Sequence, residues 1–189
     1  PSHPLPPAET LTVEFKSDRK RLSDTDLVEA LVGLANTEGG ELWLGVEDDG
    51  HATGLHPDHA ALLGLAGLVA ARTSPAMQVN VESVEVDGLK VARIRVPKAQ
   101  GEVATQAGVY LRRRIKHDGT PECVPMLPHE RISRASSFGL VDVSAQPVLG
   151  CTLADFDPLE RERLRQAVQK YGGDRVLLEL DDEALDGAL

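Results

Sequence analysis

Three carboxylates carry the most chemistry in this chain: Glu9 and Glu14, five residues apart, and Asp48 within Glu47-Asp48-Asp49-Gly50. Hard divalent cations take oxygen ligands, so acids that converge can hold Mg²⁺ or Mn²⁺ and activate a water for phosphodiester cleavage. Convergence requires that the segments carrying Glu14 and Asp48 be neighbouring strands whose ends meet. The plainer reading has Glu9 solvated, Glu14 paired with a nearby lysine and Asp48 used in a turn. Spacing alone leaves both open.

Two basic segments flank these acids. Lys16, Arg19, Lys20 and Arg21 form one; Arg112, Arg113, Arg114 and Lys116, with Tyr110 alongside, form the other. The chain of 189 residues has 20 Lys+Arg against 30 Asp+Glu and a net charge of −10, which argues against coating nucleic acid with the whole surface. Within so acidic a chain, these clusters read as local fields suited to phosphates; alternatively they solvate two loops and pair with nearby acids. Aromatic residues are only 3% of the chain, too few for a stacking platform on single strands.

Other reactive residue types say less. His51, His56 and His59, with Asp58 between the last two, fit either a transition-metal site or polar turns. Cys123 is either a reactive thiol or a structural one. Cys123 and Cys151 are the only cysteines, too few for a disulfide framework or a zinc site built on CxxC pairs, though a single bridge between them stays open. A reducing cytoplasm is the expected compartment. There is no P-loop, GxSxG, HExxH or GxGxxG. The longest apolar stretch, 60–71, is broken by Gly64 and Gly67, so no membrane span is expected, and the Pro-rich start has no signal-peptide character.

The elements that must position these groups follow from periodicity. Leu11, Val13 and Phe15 alternate with polar residues as a half-buried strand does, and a basic loop over 16–21 follows. Ser23 or Asp24 caps a helix whose Leu27, Ala30, Leu31 and Leu34 share one face, ending at Gly39-Gly40. Those glycines follow a helix, so a helix stop suits them better than a phosphate cradle. Leu42-Trp43-Leu44-Gly45-Val46 reads as a buried central strand. A second helix is expected over 57–72, a hairpin over 79–86 and 89–96 about Asp87-Gly88, a strand over 108–112 and a short helix over 128–136. The expectation is an α+β fold, a mixed β-sheet with packed helices, plus a mostly helical C-terminal tail. Residues 1–8 form a Pro-rich lead, 9–137 the domain, and 138–189 a linker and an acidic helical segment. The tail carries 5 Lys+Arg against 11 Asp+Glu.

Glu14-Phe15-Lys16, then Ala35-Asn36-Thr37-Glu38-Gly39-Gly40, then Gly45-Val46-Glu47-Asp48-Asp49-Gly50 and Gly54-Leu55 resemble, in order and spacing, the Schlafen AlbA-like domain over residues 9–137. The resemblance implies an α+β fold and a nucleic-acid-binding role, mostly DNA, in bacterial transcriptional regulators and RecG-like helicase-related proteins. There the domain is commonly N-terminal to an ATPase-like domain and a winged helix, and the segment from Cys151 to Asp157 looks like the start of that continuation. The animal members are similar in a second way: their RNA-cleaving site is three acids, whose counterparts here are Glu9, Glu14 and Asp48. That makes a Mg²⁺- or Mn²⁺-dependent nuclease, with these three as catalytic residues and metal ligands, the alternative function. The zinc ligands of those relatives have no counterpart here, and their second lobe would have to come from a homodimer. In the first reading Lys16, Arg19, Lys20, Arg21, Arg112, Arg113, Arg114 and Lys116 contact DNA or RNA; in a third, the domain is a protein-interaction scaffold.

Overall fold

The computed structural model describes residues 5–142, 149–150, 152, 155 and 157–188. Residues 1–4 of the lead, Cys151, and most of the expected linker and the 151–157 segment lie outside the described residues. The chain divides into two compact units, Pro1–Val141 and Asp142–Leu189.

The first unit is built on a four-stranded mixed sheet in the order β1-β2-β5-β4, with β1 Val13–Lys16, β2 Gly40–Leu44, β4 Asn80–Val86 and β5 Leu89–Val96. β1 and β2 run parallel, pairing Glu14 with Leu42 and Phe15 with Trp43; the other pairs are antiparallel. The parallel connection is α1, Asp24–Ala35, capped by Ser23, whose hydroxyl accepts the Asp26 N–H at 3.0 Å. Strand periodicity sorts the side chains onto two faces. Leu42, Leu44, Ile94 and Val96 pack with Leu27, Leu31 and Leu34 of α1. Phe15, Trp43, Val86 and Val91 form a second core on the other face, closed by Ala52 and by Leu5 of the Pro-rich lead.

Several elements depart from the periodicity. The expected helix over 57–72 is a short 3₁₀ turn, Pro57–His59, and a separate helix α2, Leu65–Ala71. Leu62 (φ 55°) and Gly64 (φ 79°) are left-handed between them, which ends one turn and starts the next. After α2, β3, Thr73–Ser74, pairs with β6, Ala104–Thr105. The expected strand over 108–112 lies further on, as β7, Leu111–Ile115, in a hairpin with β8, Pro121–Pro125. The expected short helix is α3, Pro128–Ser137. The turn at Asp87-Gly88 forms as expected, with φ of 51° and 77°.

Asn36 ties these parts together. It follows α1, is 2% exposed, donates to the carbonyls of Val103 (2.7 Å) and Leu111 (2.9 Å), and accepts the Val103 N–H at 2.9 Å. Next to it, Thr37 Oγ1 donates to Gly33 O and accepts the Arg113 N–H, each at 2.8 Å. Gly40 is a matter of space: a Cβ there would overlap the Thr12 carbonyl, so only glycine lets β2 come this close to the chain entering β1.

In the second unit, α4 (Pro158–Tyr171) is joined to α5 (Asp182–Ala188) by Arg161 with Asp186 and by Arg165 with Asp182 at 2.7 Å. No helix among the described residues is long and apolar enough to cross a membrane.

Truncating Asn36 leaves three buried backbone groups without partners, each costing about 1–3 kcal/mol. Asn36→Ala is therefore expected to lower unfolding free energy by roughly 3 kcal/mol or more, read as the midpoint of urea denaturation.

Candidate functional site

The structure brings two of the three carboxylates near each other and sets Asp48 apart. Glu14, on the α1 face of β1, is 6% exposed. Glu9 comes near it by folding back over β1, where its Oε1 accepts the Phe15 N–H at 2.9 Å. Asp48 stands in an exposed turn closed by the Gly50 N–H on Glu47 O at 2.8 Å. Among the described residues no three His, Cys, Asp or Glu side chains are grouped closely enough to hold a metal ion. β1 and β2 are neighbours, as convergence required, but Gly45 (φ 93°) bends the chain where β2 ends. The next segment folds back on itself, with Thr53 and Gly54 donating to Gly45 O at 2.8 and 3.0 Å. Asp48 thereby ends in the turn, as in the plainer reading.

Cations of the protein itself occupy Glu14. Nη1 of Arg113 donates to its Oε2, and Lys16 Nζ is 2.5 Å from its Oε1. Arg113 is 3% exposed, and its Nη2 also donates to Thr10 O (2.7 Å) and Val13 O (3.1 Å). The residues present thus do not offer a site for the divalent ion that the family resemblance implies. Burial raises the pKa of Glu9; the Phe15 N–H opposes that, and the Glu14 charge adds to it.

The second basic segment is likewise engaged. In β7, alternate residues face opposite ways. Leu111 and Arg113 turn inward, and Arg112 and Arg114 take the other face. Arg112 pairs with Glu130 of α3, Arg114 Nε with Glu122 at 2.6 Å, and Lys116 lies 3.9 Å from Asp118. Arg113, expected at the nucleic-acid contact, is corrected to a core residue.

The first segment is different. Between Asp18 and Leu22 the chain arches over, closed by the Leu22 N–H on Asp18 Oδ1 at 2.9 Å, so that Arg19, Lys20 and Arg21 form the crest. Asp18 itself is fully buried; its Oδ2 also accepts the His56 N–H at 2.7 Å, and Nδ1 of His59 lies 2.9 Å from Oδ1. Beside it, Glu47 accepts the hydroxyls of Thr53 (2.6 Å) and Ser17 (2.8 Å), which hold its carboxyl below the usual range. Arg19 keeps 67% of its side chain exposed, 3.5 Å from Glu47. Lys20 is exposed and has no ion-pair partner among the described residues. Arg21 reaches Asp24 at 2.7 Å and Asp58 at 3.7 Å.

His59 is thus the partner of Asp18, with its Nε2 buried and unpartnered; His56 Nδ1 accepts the Asp58 N–H at 3.2 Å, and His51 is exposed. Cys123 is free, and its thiol turns towards α1, where a Cβ at Gly33 would stand 2.5 Å from Sγ. Cys123 is exposed as a residue, but partial burial of its thiol pushes the pKa up to about 11, which favours the protonated form at neutral pH. Asp18 and Asn36 are the positioning residues that periodicity overlooks. The signal for Asp18 is a lone acid inside a run of cations.

Comparison with known proteins gives the context. A family model described as Schlafen, AlbA_2 matches residues 9–119. Among solved structures, the DIP2311 protein from Corynebacterium diphtheriae is 25% identical with a TM-score of 0.53, over 92% of this chain and 35% of that one. At that similarity the two share the α+β fold, and this chain spans about a third of the other's length. The N-terminal domain of an ATP-dependent DNA helicase RecG-related protein from Nitrosomonas europaea is 23% identical, with a TM-score of 0.42, over 64% of this chain and 88% of that one. No curated protein matches the chain.

Glu9 gives a pH test. Its folded-state pKa lies above the ordinary 4.5, so the folded protein holds that proton more tightly, and the wild type loses stability as pH rises through the folded value. Glutamine keeps the oxygen that accepts the Phe15 N–H and does not titrate. Glu9→Gln is expected to match the wild type below the ordinary value and to gain on it as pH rises, with a plateau near neutrality. Urea midpoints between roughly pH 4 and 8 would check this.

Proposed function

We propose, from the premise that the chain belongs to the Schlafen AlbA_2 family, that its first unit is a nucleic-acid-binding module gripping phosphates with the arch Arg19-Lys20-Arg21. The observation that carries this reading is the arch itself. Three consecutive cations sit on a crest whose feet are fixed by one buried carboxylate, so the backbone that carries them is set before any ligand arrives. Pre-organisation of this kind reduces the ordering cost of binding.

The surroundings favour the arch over the rest of the surface. Glu14 and Lys16 line an open pocket of about 390 Å³ together with Asp26, Glu29 and Cys123, and its acids would repel a phosphate. The arginines of β7 already have carboxylate partners. Ion pairs as exposed as Arg114 with Glu122 are each worth only about 0–1 kcal/mol, so phosphates could exchange with those acids; in the arch Arg19 and Arg21 face Glu47 and Asp24 in the same way, and Lys20 needs no exchange. We assign DNA as the ligand and a regulator or helicase-related protein as the setting. The family resemblance supports both.

The test is fluorescence anisotropy with a labelled DNA duplex across a salt series. Binding is expected at low salt, with log K falling linearly in log salt at about 0.9 per phosphate contact. Replacing Arg19, Lys20 and Arg21 together by alanine should weaken binding and flatten that slope by roughly 2 to 3. Arg114→Ala should change it little. No binding at low salt, or an arch variant that binds as the wild type does, would overturn the proposal.

A further inference from the structure

The oxygens around Glu14 converge on a nitrogen cation. Arg113 Nη1 takes Glu14 Oε2, and Nη2 takes the carbonyls of Thr10 at 2.7 Å and Val13 at 3.1 Å. One carboxylate and two backbone carbonyls are donors of the kind that a hard divalent ion would recruit. The Arg113 side chain is 1% exposed, so the guanidinium fills this cradle with almost no solvent beside it. Its Nε is buried and finds no acceptor, so two of its three nitrogens serve the cradle and the third is left over.

We propose that Arg113 is a resident substitute for a divalent cation at this acidic site. Its guanidinium fills the oxygen cradle of Glu14, Thr10 and Val13 and keeps metal out while it is in place. The chain builds this substitute from residues that also carry the family likeness. Thr37, of Asn36-Thr37-Glu38-Gly39-Gly40, accepts the Arg113 N–H at 2.8 Å. Lys16 supplies a second positive charge at 2.5 Å. Together the two cations provide the double charge that a divalent ion would bring, spread over two side chains.

The chemical difference is what such cations cannot do. A bound metal keeps an open position where a water is ionised and turned into a nucleophile. A guanidinium has no such position and stays protonated throughout the physiological range. Glu14 is therefore assigned here to joining β1 to β7. This assignment does not depend on whether the arch binds DNA.

Mn²⁺ binding, followed as the loss of the free-ion signal in electron paramagnetic resonance, tests it. Wild type is expected to show no Mn²⁺ site that Glu14→Gln removes. Arg113→Gln, which removes the charge and is too short to reach the two carbonyls that Nη2 holds, is expected to gain one. Its thermal midpoint should rise by roughly 5 °C or more when Mn²⁺ exceeds its dissociation constant by about a hundredfold, and the rise should vanish when Glu14→Gln is added. A wild-type Mn²⁺ site lost with Glu14→Gln would overturn the proposal, as would a folded Arg113→Gln indifferent to Mn²⁺. If Arg113→Gln does not fold, the comparison of wild type with Glu14→Gln decides alone. DNA anisotropy on the same wild-type samples separates failure here from failure of the binding-module reading.

Discussion

A guanidinium and a carboxylate, both withdrawn from water, connect the first strand of the chain to a hairpin about a hundred residues further on. Removing charges from water costs several kcal/mol per ion, and only a partner in good geometry offsets that cost. Glu14 and Arg113 each have such a partner, and Arg113 has two carbonyls besides. Losing Glu14 would leave the buried Arg113 charge with neutral carbonyls alone, at about 3–5 kcal/mol, whereas Glu14 without Arg113 would still face Lys16. Other features follow from this contact. β7 must lie against α1 with its inward residues facing Gly33, and β8 can then place its thiol in the space that the glycine leaves. Asn36 and Thr37 hold the backbone there so that the two charges meet.

Much of the α+β fold can be read from periodicity. The two-faced sheet follows from Phe15 and Trp43 pointing one way and Leu42 and Leu44 the other, and the Asp87-Gly88 turn from the pair of left-handed residues that it requires. The family itself is legible in Glu14-Phe15-Lys16 and the glycine-rich segments after it, because those residues serve close approaches that few sequences can satisfy. Gly40 against Thr12 is one such approach.

What periodicity does not give is which way a charged residue faces in a two-stranded ribbon. Arg112-Arg113-Arg114 reads as a uniform basic run, yet strand alternation divides it, and the middle arginine leaves the surface altogether. β8 escapes notice because Pro121-Glu122-Cys123-Val124-Pro125 begins and ends on proline, which breaks strand patterns; a hairpin of two strands has free edges that tolerate it. The 57–72 helix fails for a local reason, since left-handed residues at 62 and 64 interrupt a stretch whose composition is otherwise helical. The separation of Asp48 from Glu14 is a tertiary result. Nothing in the spacing of the acids says that Gly45 bends the chain between them.

The arch over residues 19–21 has a fixed span. Asp18 holds the Leu22 N–H on one side and the His56 N–H and His59 ring on the other, so the distance between the two feet is a property of one carboxylate rather than of the loop. Three residues bridge that distance. Side-chain identity on the crest is therefore open to change without disturbing the feet, whereas an inserted or deleted residue would pull one foot away and leave a buried charge short of its donors. Among relatives that keep the aspartate and the histidine, this loop should keep its length.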